Sequence, residues 1–499
     1  MIAGPPAIRR QMAHGAAWMF LQRFAVRGIG LVSTIVLARL LAPGDFGIVA
    51  LATGFLGLLE SVGELGFDLQ LVQTQTDDRA AYNTAWTLTV LRGVVIAAIL
   101  AAIARPVAGF YGDPRLVALM YWVAFGVIVT ELQNIGIVEF RRDLRFDLEF
   151  RLMVWSKVGS FLVTILLAVW LRSYFALIGG IIAGKLITLA MSYAMHPFRP
   201  VPSLKSAGKF VHFSSWLSLN NVMYGIKNRI DVFIVGRYAG ASLLGVYSVG
   251  CEISNLIATE LLWPVARVVF SGFAKMAGDR ADLRKGFLDV LGLLFMIATP
   301  VAVGTGLTAE HIVRIFLGQQ WLAAIPLIQI LALYGVVNFA TANSQAIYLA
   351  LGRPDLMALG NLPAFLMLPP LLLWGIARYG LAGAAWALVA DGTLNLVVNI
   401  ALMRRQIDFS LSEVFACLWR PAIAASVMAA SVAALSIYWP IAGTMIGLVA
   451  QFGTVAATGA LVYFGVLLLL WRIAGLPDGA ERNALAALHA ARKGPISAA

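Results

Sequence analysis

Apolar runs long enough to cross a membrane recur along almost the whole sequence. The hydrocarbon core of a bilayer is about 30 Å thick, so a spanning helix needs about 20 largely apolar residues. Only 12% of the residues are charged, whereas soluble domains average about 25%. In lipid, backbone polar groups are satisfied only in helices or closed barrels, and the short alternating strands of a barrel are absent from the sequence. The chain is therefore predicted to be an all-α polytopic membrane protein.

We predict about fourteen transmembrane helices from these runs. The order of helices and loops follows from hydropathy and from Gly and Pro between the runs. The predicted helices lie near 16–41, 46–67, 84–105, 115–139, 151–172, 173–195, 210–237, 243–266, 286–308, 323–350, 356–378, 380–403, 421–440 and 444–471.

The distribution of Lys and Arg predicts the orientation of these helices. If the N-terminus is cytoplasmic, the cytoplasmic segments hold 23 basic residues, the opposite side holds 7, and the helices hold 7. Such an excess in short loops is what the positive-inside rule requires, and it places both termini in the cytoplasm. The same distribution explains the net charge of +12 without a nucleic-acid partner.

The sequence contains an internal repeat. The segment "ARLLAPGDFGIVALA", 38–52, aligns with "GRYAGASLLGVYSVG", 236–250, and "FYGDPRLVAL", 110–119, aligns with "FLGQQWLAAI", 316–325. Two matches at nearly equal offsets favour a duplicated six-helix unit, and lobes related in this way are a common transporter plan. We predict an N-terminal lobe at 1–195, a C-terminal lobe at 196–403, two further helices at 404–472, and a cytoplasmic tail at 473–499.

Several segments are similar to a known family. "VLARLLAPGDFGIVALATGFLGLLESVGELGFDLQLVQ", "FYGDPRL", "EFRRDLRFDLEF" and "YLALGRPDLM" resemble the polysaccharide transporters, Wzx-type oligosaccharide-lipid flippases of the multidrug/oligosaccharidyl-lipid/polysaccharide exporter superfamily. The resemblance implies two six-helix lobes around a central cavity in the bacterial inner membrane. It also implies export of undecaprenyl-diphosphate-linked oligosaccharide for exopolysaccharide, capsule or O-antigen assembly, with membrane lipids and the polymerase and export machinery as partners.

No catalytic or cofactor motif accompanies this resemblance. The sequence has no Walker A motif, no HExxH pair and no acidic metal-binding pair in a large loop, so we expect neither a metal nor a cofactor. A transporter without a nucleotide site must use an ion gradient, of H⁺ or Na⁺, or the gradient of its cargo. We therefore expect that the protein is not an enzyme.

Two arginines in the first predicted helix are the leading candidates for cargo binding. Arg23 and Arg27 are four residues apart and share one helical face, and a charge at the centre of a membrane helix costs about 2.5–3.5 kcal/mol. Two readings remain open: pairing with Glu60 and Glu64 of the second helix, or contact with the cargo diphosphate. Lys185 and Lys227 are further candidates for the diphosphate, because Lys and Arg bind phosphate through charge-assisted hydrogen bonds.

Other polar side chains recur at helical spacing. Such stripes either hydrogen-bond neighbouring helices or line a wet cavity, and their number favours a cavity. We expect the cavity to be lined by Asn220, Asn221, Tyr224, Glu252, Asn255, Asn338, Gln345 and Asn395. Carboxylates are the usual intramembrane relay groups, so Glu60, Glu64 and Asp391 are the candidates for ion coupling.

Three other functions remain as alternatives. A drug/cation antiporter of the same superfamily should favour acidic and aromatic cavity residues, whereas seven basic residues lie inside the predicted helices. A peptidoglycan-precursor flippase would carry a similar lipid diphosphate. A membrane polysaccharide polymerase is expected to present a large non-cytoplasmic loop, and none of the predicted loops is long.

Overall fold

The computed structural model describes residues 6–63, 71, 78–205, 223, 225–276, 279–477 and 479–482 of the 499-residue chain. Within these ranges the ordered elements are helices, and no β-strand occurs. The prediction of an all-α polytopic membrane protein is confirmed.

Twelve long helices make up the described fold. Each is longer than the roughly 15 residues at which an isolated helix becomes marginal, and short connections join most of them. They are α1 (Pro6–Leu40), α2 (Pro43–Gly63), α3 (Arg79–Tyr111), α4 (Arg115–Glu131), α5 (Phe146–Leu171), α6 (Phe175–Met195), α7 (Ile230–Met276), α8 (Arg280–Leu307), α9 (Ile325–Ala350), α10 (Pro354–Ile407), α11 (Leu411–Tyr438) and α12 (Met445–Ile473).

The predicted number of fourteen spans is not confirmed. Among the described residues, eleven helices are long and apolar enough to cross a membrane, and a bent pair formed by α4 and Ile135–Arg142 makes twelve. Two features account for the difference. The predicted helix at 210–237 lies partly outside the described residues, and its described end is merged with the predicted helix at 243–266 across a break at Gly240 in α7. The predicted helices at 356–378 and 380–403 are merged in α10.

The helix α10 is a hairpin with two antiparallel arms. Its 54 residues would extend about 80 Å as one straight helix, well over twice the thickness of the hydrocarbon core. Gly380 breaks it with φ 58 and ψ −140, a backbone conformation open mainly to glycine. Across this break, Gly375 and Gly383 are in close backbone contact, and Asn395 Nδ2 donates to Asn361 Oδ1 at 3.1 Å. The two predicted helices therefore exist as the two arms of α10.

The described part of the chain divides into two compact units, Met1–Gly245 and Val246–Ala499. The connecting segment after α6 is tied to the first unit. The amide of Val201 donates to Asn83 Oδ1, and the amide of Ser203 donates to Thr87 Oγ1, both at 2.9 Å. These bonds satisfy loop backbone groups that would otherwise need water. The lobe boundary predicted near residue 195 stays a prediction.

One pair of aligned repeat segments, at 38–52 and 236–250, is in contact within the first unit. A Cβ atom added at Gly47 would overlap the carbonyl oxygen of Ala241, and one added at Gly245 would overlap the carbonyl oxygen of Pro43. The backbones of α2 and α7 are thus in direct contact. Only residues without a side chain permit so close an approach, and small residues are typical of helix crossings in membranes.

Candidate functional site

Five ionisable side chains come together in the first unit: four lie on α2, α3, α4 and α6, and the fifth, Arg229, is exposed just before α7. Glu60 of α2 lies in the electrostatic field of Lys185, Glu131, Arg92 and Arg229. Three positive and two negative groups make up this set, which we call the charge cluster. At roughly 3 kcal/mol for a lone charge in a membrane helix, such groups are stable only with mutual pairing or with polar neighbours.

The strongest pair in the charge cluster joins α3 to α4. Arg92 Nη2 lies 2.5 Å from Glu131 Oε1, and Glu131 is only 7% exposed. Glu131 ends α4, immediately before the 64° bend. The carboxylate of Glu131 therefore partly neutralises the charge of Arg92 where α4 ends.

Glycines create the space that the charged side chains occupy. A Cβ atom at Gly57 would lie 3.0 Å from Arg229 Nε, and one at Gly93 would lie 2.9 Å from Glu131 Cβ. A Cβ atom at Gly126 would lie 3.3 Å from Lys185 Cδ. Each of these helices therefore has a glycine beside a charged side chain from another segment. The pattern indicates that the local packing accommodates these charges specifically.

The ammonium group of Lys185 is held by the backbone. Its Nζ donates a hydrogen bond to the carbonyl oxygen of Gly126 at 3.2 Å. The contact with Gly126 directs the side chain from α6 toward α4, into the half-buried interior of the unit. Of the four residues predicted to bind diphosphate, Lys185 is the one that the structure places with Glu60.

Arg23 and Arg27 lie on α1, which packs against α5. Arg23 is half-buried and Arg27 is exposed. A Cβ atom at Gly30, on the same face, would lie 3.9 Å from Lys157 Cε. Lys157 is the twelfth residue of α5, because that helix begins at Phe146 and not near residue 151. Lys157 therefore lies near mid-helix beside the arginine face, which the sequence did not predict.

Several predicted site residues lie outside the described part of the chain. This applies to Glu64, Asn220, Asn221 and Tyr224. Lys227 is described and half-buried, just before α7. The predicted pairing of Glu64 with an arginine and the polar face of the 210–237 helix stay predictions.

The predicted polar residues of the second unit fall into two groups. Glu252, Asn255 and Asn338 are exposed and Gln345 is half-buried, and their place in a cavity stays a prediction. Asp391 and Asn395 are buried, at 1% and 3% exposure. Asn395 bonds to Asn361, and Asn399 Nδ2 donates to Asn395 Oδ1 at 2.7 Å. In this structure the Asn395 side chain connects the two arms of α10.

Sequence reasoning did not assign a role to Arg92 or Glu131. Arg92 was recognisable as a charge inside an apolar run, and Glu131 lay inside the predicted helix at 115–139, but the sequence did not show that the two meet. The signal for a cluster was the lack of any local countercharge for Arg92 within one helical turn. No group of three or more potential metal ligands occurs in the portion of the chain that the structure describes.

Comparison with known proteins places this architecture in a family. The sequence profile described as "Polysaccharide biosynthesis protein" matches residues 36–326. The chain is 23% identical to the teichuronic acid biosynthesis protein TuaB of Bacillus subtilis, over 85% of this chain and 88% of that protein. It is 22% identical to the lipopolysaccharide biosynthesis protein WzxC of Escherichia coli, over 83% and 85% of the two chains.

Solved structures support the same fold. The lipid II flippase MurJ, in an inward closed conformation, superposes with a TM-score of 0.73 and 14% identity, over 91% of this chain and 99% of that one. An inward-facing multidrug resistance MATE family transporter of the MOP superfamily superposes with a TM-score of 0.57 and 15% identity, over 79% and 94% of the two chains. The profile covers more than half of the sequence, and the chain belongs to the family of polysaccharide biosynthesis proteins.

Proposed function

We propose that the protein flips undecaprenyl-diphosphate-linked oligosaccharide across the bacterial inner membrane. The observation that carries this proposal is the charge cluster, in which Lys185, Arg92 and Arg229 outnumber two carboxylates within membrane-spanning helices. An intramembrane excess of positive charge suits an anionic diphosphate. The names of TuaB and WzxC, and of the Rhizobium meliloti succinoglycan biosynthesis transport protein ExoT, which is 24% identical over 66% of this chain, support the same cargo class.

The diphosphate contacts are assigned to Arg23, Arg27, Lys185 and Lys227. Arg23 and Arg27 offer planar guanidinium groups that bind phosphate oxygens in pairs, and Lys157 adds a third positive charge beside the same face. Lys185 donates to a neutral carbonyl and lies in the field of Glu60 and Glu131; its charge and those of Arg92 and Arg229 outnumber these two carboxylates, which suits an anion. The sugar occupies the wet part of the transport path, and the polyprenyl tail stays in lipid.

Transport is by alternating access of two lobes, driven by an ion gradient. Glu60 is the best supported of the coupling candidates Glu60, Glu64 and Asp391, because four other charges act on it. Binding of one proton or Na⁺ at Glu60 would increase the net positive charge of the cluster. That change would alter the affinity of the cluster for an anionic cargo. Coupling requires that ion binding changes the affinity for the cargo in this way.

Both termini are proposed to be cytoplasmic. The support is the ratio of 23 basic residues to 7 across the two sides of the membrane, as the positive-inside rule predicts. The protein acts as a carrier and not as an enzyme, and its protein partners would be the polymerase and export machinery of the polymer.

The experiment that tests the proposal is deletion of the gene followed by analysis of lipid-linked oligosaccharides. We expect the cognate lipid-linked oligosaccharide to accumulate on the cytoplasmic side and the surface polymer to be lost. Complementation with Lys185→Ala should fail at normal membrane abundance. Lys205→Ala, which removes an exposed charge from the connecting segment, serves as the matched control. A polymer made at the normal level in the deletion strain contradicts the proposal.

A drug/cation antiporter is the second candidate, because the inward-facing MATE family transporter shares the fold. Such a transporter would confer resistance to cationic drugs on expression, and deletion would leave the surface polymer unchanged. The basic excess of the charge cluster disfavours this function, since cationic cargo would be repelled.

A further inference from the structure

A cavity of about 940 Å³ opens at the end of the second unit where α8 and α11 begin. Its third wall is the segment that follows α12, which includes Ala480 and Glu481. This segment folds back onto the helices: Trp471 Nε1 donates to the carbonyl of Pro477 at 3.1 Å. A Cβ atom at Gly292 of α8 would lie 3.3 Å from the Cβ of Ala480. The cavity is thus a defined space, large enough for a lipid headgroup.

Arg420 is a buried charged group in the lining of the cavity. It lies nine residues into α11, about 14 Å along the helix axis, and it is only 7% exposed. Its Nε and Nη1 atoms are buried without a hydrogen-bond partner. A guanidinium has five N–H donors. A buried charged donor without a hydrogen-bond acceptor costs folding free energy. Arg420 therefore has unused capacity to bind an anion.

The nearest countercharge to Arg420 comes from the segment after α12. Arg420 Nη1 lies 3.3 Å from Glu481 Oε1, and Glu481 is 5% exposed. The carboxylate neutralises the charge, but its geometry does not provide a hydrogen bond to Nε or Nη1. Glu481 thus occupies the position beside Arg420 that an anion with more oxygen atoms would fill more completely.

The remaining charges of the lining leave a positive balance. Arg284 forms an ion pair with Glu413, whose carboxylate also accepts from the amide of Ser410 at the start of α11. Lys285 and Arg482 add two positive charges, and Asp289 adds one negative charge. Four positive and three negative groups line the cavity in total, and one of the acids is held at the helix terminus.

We propose that this cavity binds the phosphate group of an anionic lipid headgroup, with Arg420 as its main ligand and Glu481 as the group that the phosphate displaces. A phosphate has enough oxygens to accept from both unpartnered nitrogens of Arg420, which one carboxylate oxygen at 3.3 Å does not. The cavity lies at the ends of membrane-spanning helices, where basic pockets meet lipid headgroups. This assignment is independent of the cargo proposed above.

A phosphate site and a purely structural ion pair predict different effects of the same substitutions. If Arg420 and Glu481 only stabilise the fold, neutralising either one lowers the thermal stability, because a buried charge loses its partner. If the cavity binds phosphate, the two variants act in opposite directions on lipid binding. Arg420→Gln removes the ligand, whereas Glu481→Gln removes the competitor.

The test measures the Tm of the purified full-length protein in a neutral detergent. The additions are phosphatidylglycerol, phosphatidylcholine with the same acyl chains, and inorganic diphosphate. We expect phosphatidylglycerol to raise the Tm of the natural protein by about 2–4 °C, the size of shift that moderate ligand binding produces. We expect no specific shift from phosphatidylcholine, no shift in Arg420→Gln, and half-maximal effect at a lower lipid concentration in Glu481→Gln.

Control variants keep the test decisive. Arg404→Gln removes a positive charge at the end of α10, outside the cavity lining, and should keep the full phosphatidylglycerol shift. If Arg420→Gln does not fold, Glu481→Gln alone still distinguishes the two readings. A shift from inorganic diphosphate without one from phosphatidylglycerol overturns the lipid assignment in favour of a soluble phosphate compound. Equal shifts from both lipids, or a lipid response unchanged by Glu481→Gln, overturn the site.

Discussion

Gly47 of α2 and Gly245 of α7 lie against each other's helices in a contact that is symmetric in sequence. Gly47 faces the carbonyl of Ala241, and Gly245 faces the carbonyl of Pro43. Each glycine thus meets the residue four positions before the other one. The sequence alignment at an offset of 198 pairs the same positions, 43 with 241 and 47 with 245. The contact therefore joins equivalent positions of the two repeat segments, 38–52 and 236–250.

Alanine at either position of this crossing should separate the helices. The new Cβ atom would overlap a backbone oxygen, which cannot move as a side chain does, so we expect a loss of about 3 kcal/mol or more, at the upper end of overpacking costs. Membrane abundance and Tm of Gly47→Ala and Gly245→Ala measure the effect. Gly44→Ala is the matched control, because its Cβ would lie 3.9 Å from Ser242 Cα, an ordinary contact. Equal stability of all three variants would argue against the observed crossing.

Neutralising one member of the Arg92–Glu131 pair should destabilise the protein more than neutralising both. Arg92→Gln or Glu131→Gln removes one charge of the closest ion pair in the charge cluster and leaves the other unbalanced, at a cost of up to about 3–5 kcal/mol. The double variant leaves two neutral amides that can hydrogen-bond each other. The Tm of the three variants tests this coupling. Additive losses in the double variant would mean that the two groups act independently.

Arg23→Ala and Arg27→Ala should abolish export while membrane abundance stays near normal. The reason is that both arginines are proposed to contact the cargo and neither is fully buried. Arg→Lys at each position should restore export in part, since a point charge still attracts phosphate without bidentate geometry. Abundance and export of lipid-linked oligosaccharide are measured in the same cells. If export falls only where abundance falls, the two arginines have a structural role.

Replacing the coupling carboxylate should separate transport from the ion gradient. Among Glu60→Gln, Glu64→Gln and Asp391→Asn, we expect Glu60→Gln to have the largest effect, because Glu60 lies within the charge cluster. Flipping in vesicles should continue down the cargo gradient but no longer respond to an imposed pH or Na⁺ gradient. The Lys205→Ala variant controls for expression. A full gradient response in all three variants would falsify the assignment.

Acid should destabilise the protein through His311, which lies between α8 and α9. Burial lowers the pKa of His311 below its ordinary value of 6.5, against the opposing effect of Glu310 and with the help of Arg314. A depressed pKa means that the folded state favours the neutral imidazole, so this contribution is complete above about pH 6.5 and is lost as the pH falls. We expect the Tm of the natural protein to fall more steeply from pH 7 to pH 5 than that of His311→Gln. Parallel curves would exclude this residue as the cause.

Helix positions were predictable to within a few residues where hydropathy alone determines them. The last helix is predicted at 444–471 and runs from Met445 to Ile473. The bend after α4 was not predicted, because its cause lies elsewhere in the chain. The buried side chain of Asn134 donates to the carbonyls of His196 and Phe198 at 3.1 and 2.8 Å, and no local pattern encodes partners more than sixty residues away.

The candidate site was predictable by residue type but not by grouping. Intramembrane charges such as Lys185 and Glu60 are visible in any apolar run, since their cost in lipid makes them conspicuous. Which charges meet depends on how the helices rotate about their axes, and this is decided by packing at positions such as Gly57 and Gly126. For the same reason Asn395 was predicted as a cavity residue, although its partner Asn361 lies 34 residues away on the other arm of α10.

The hairpin of α10 also constrains how the protein is made. The arm that leaves the ribosome first carries Asn361, whose hydrogen-bond partner is synthesised 34 residues later. An unsatisfied amide is unfavourable in lipid. The first arm is therefore expected to stay in the translocation channel until the second arm has been synthesised. The turn at Gly380 is a single non-helical residue. Almost no loop therefore has to be translocated across the membrane between the two arms. The two arms should therefore enter the bilayer together, as one insertion event.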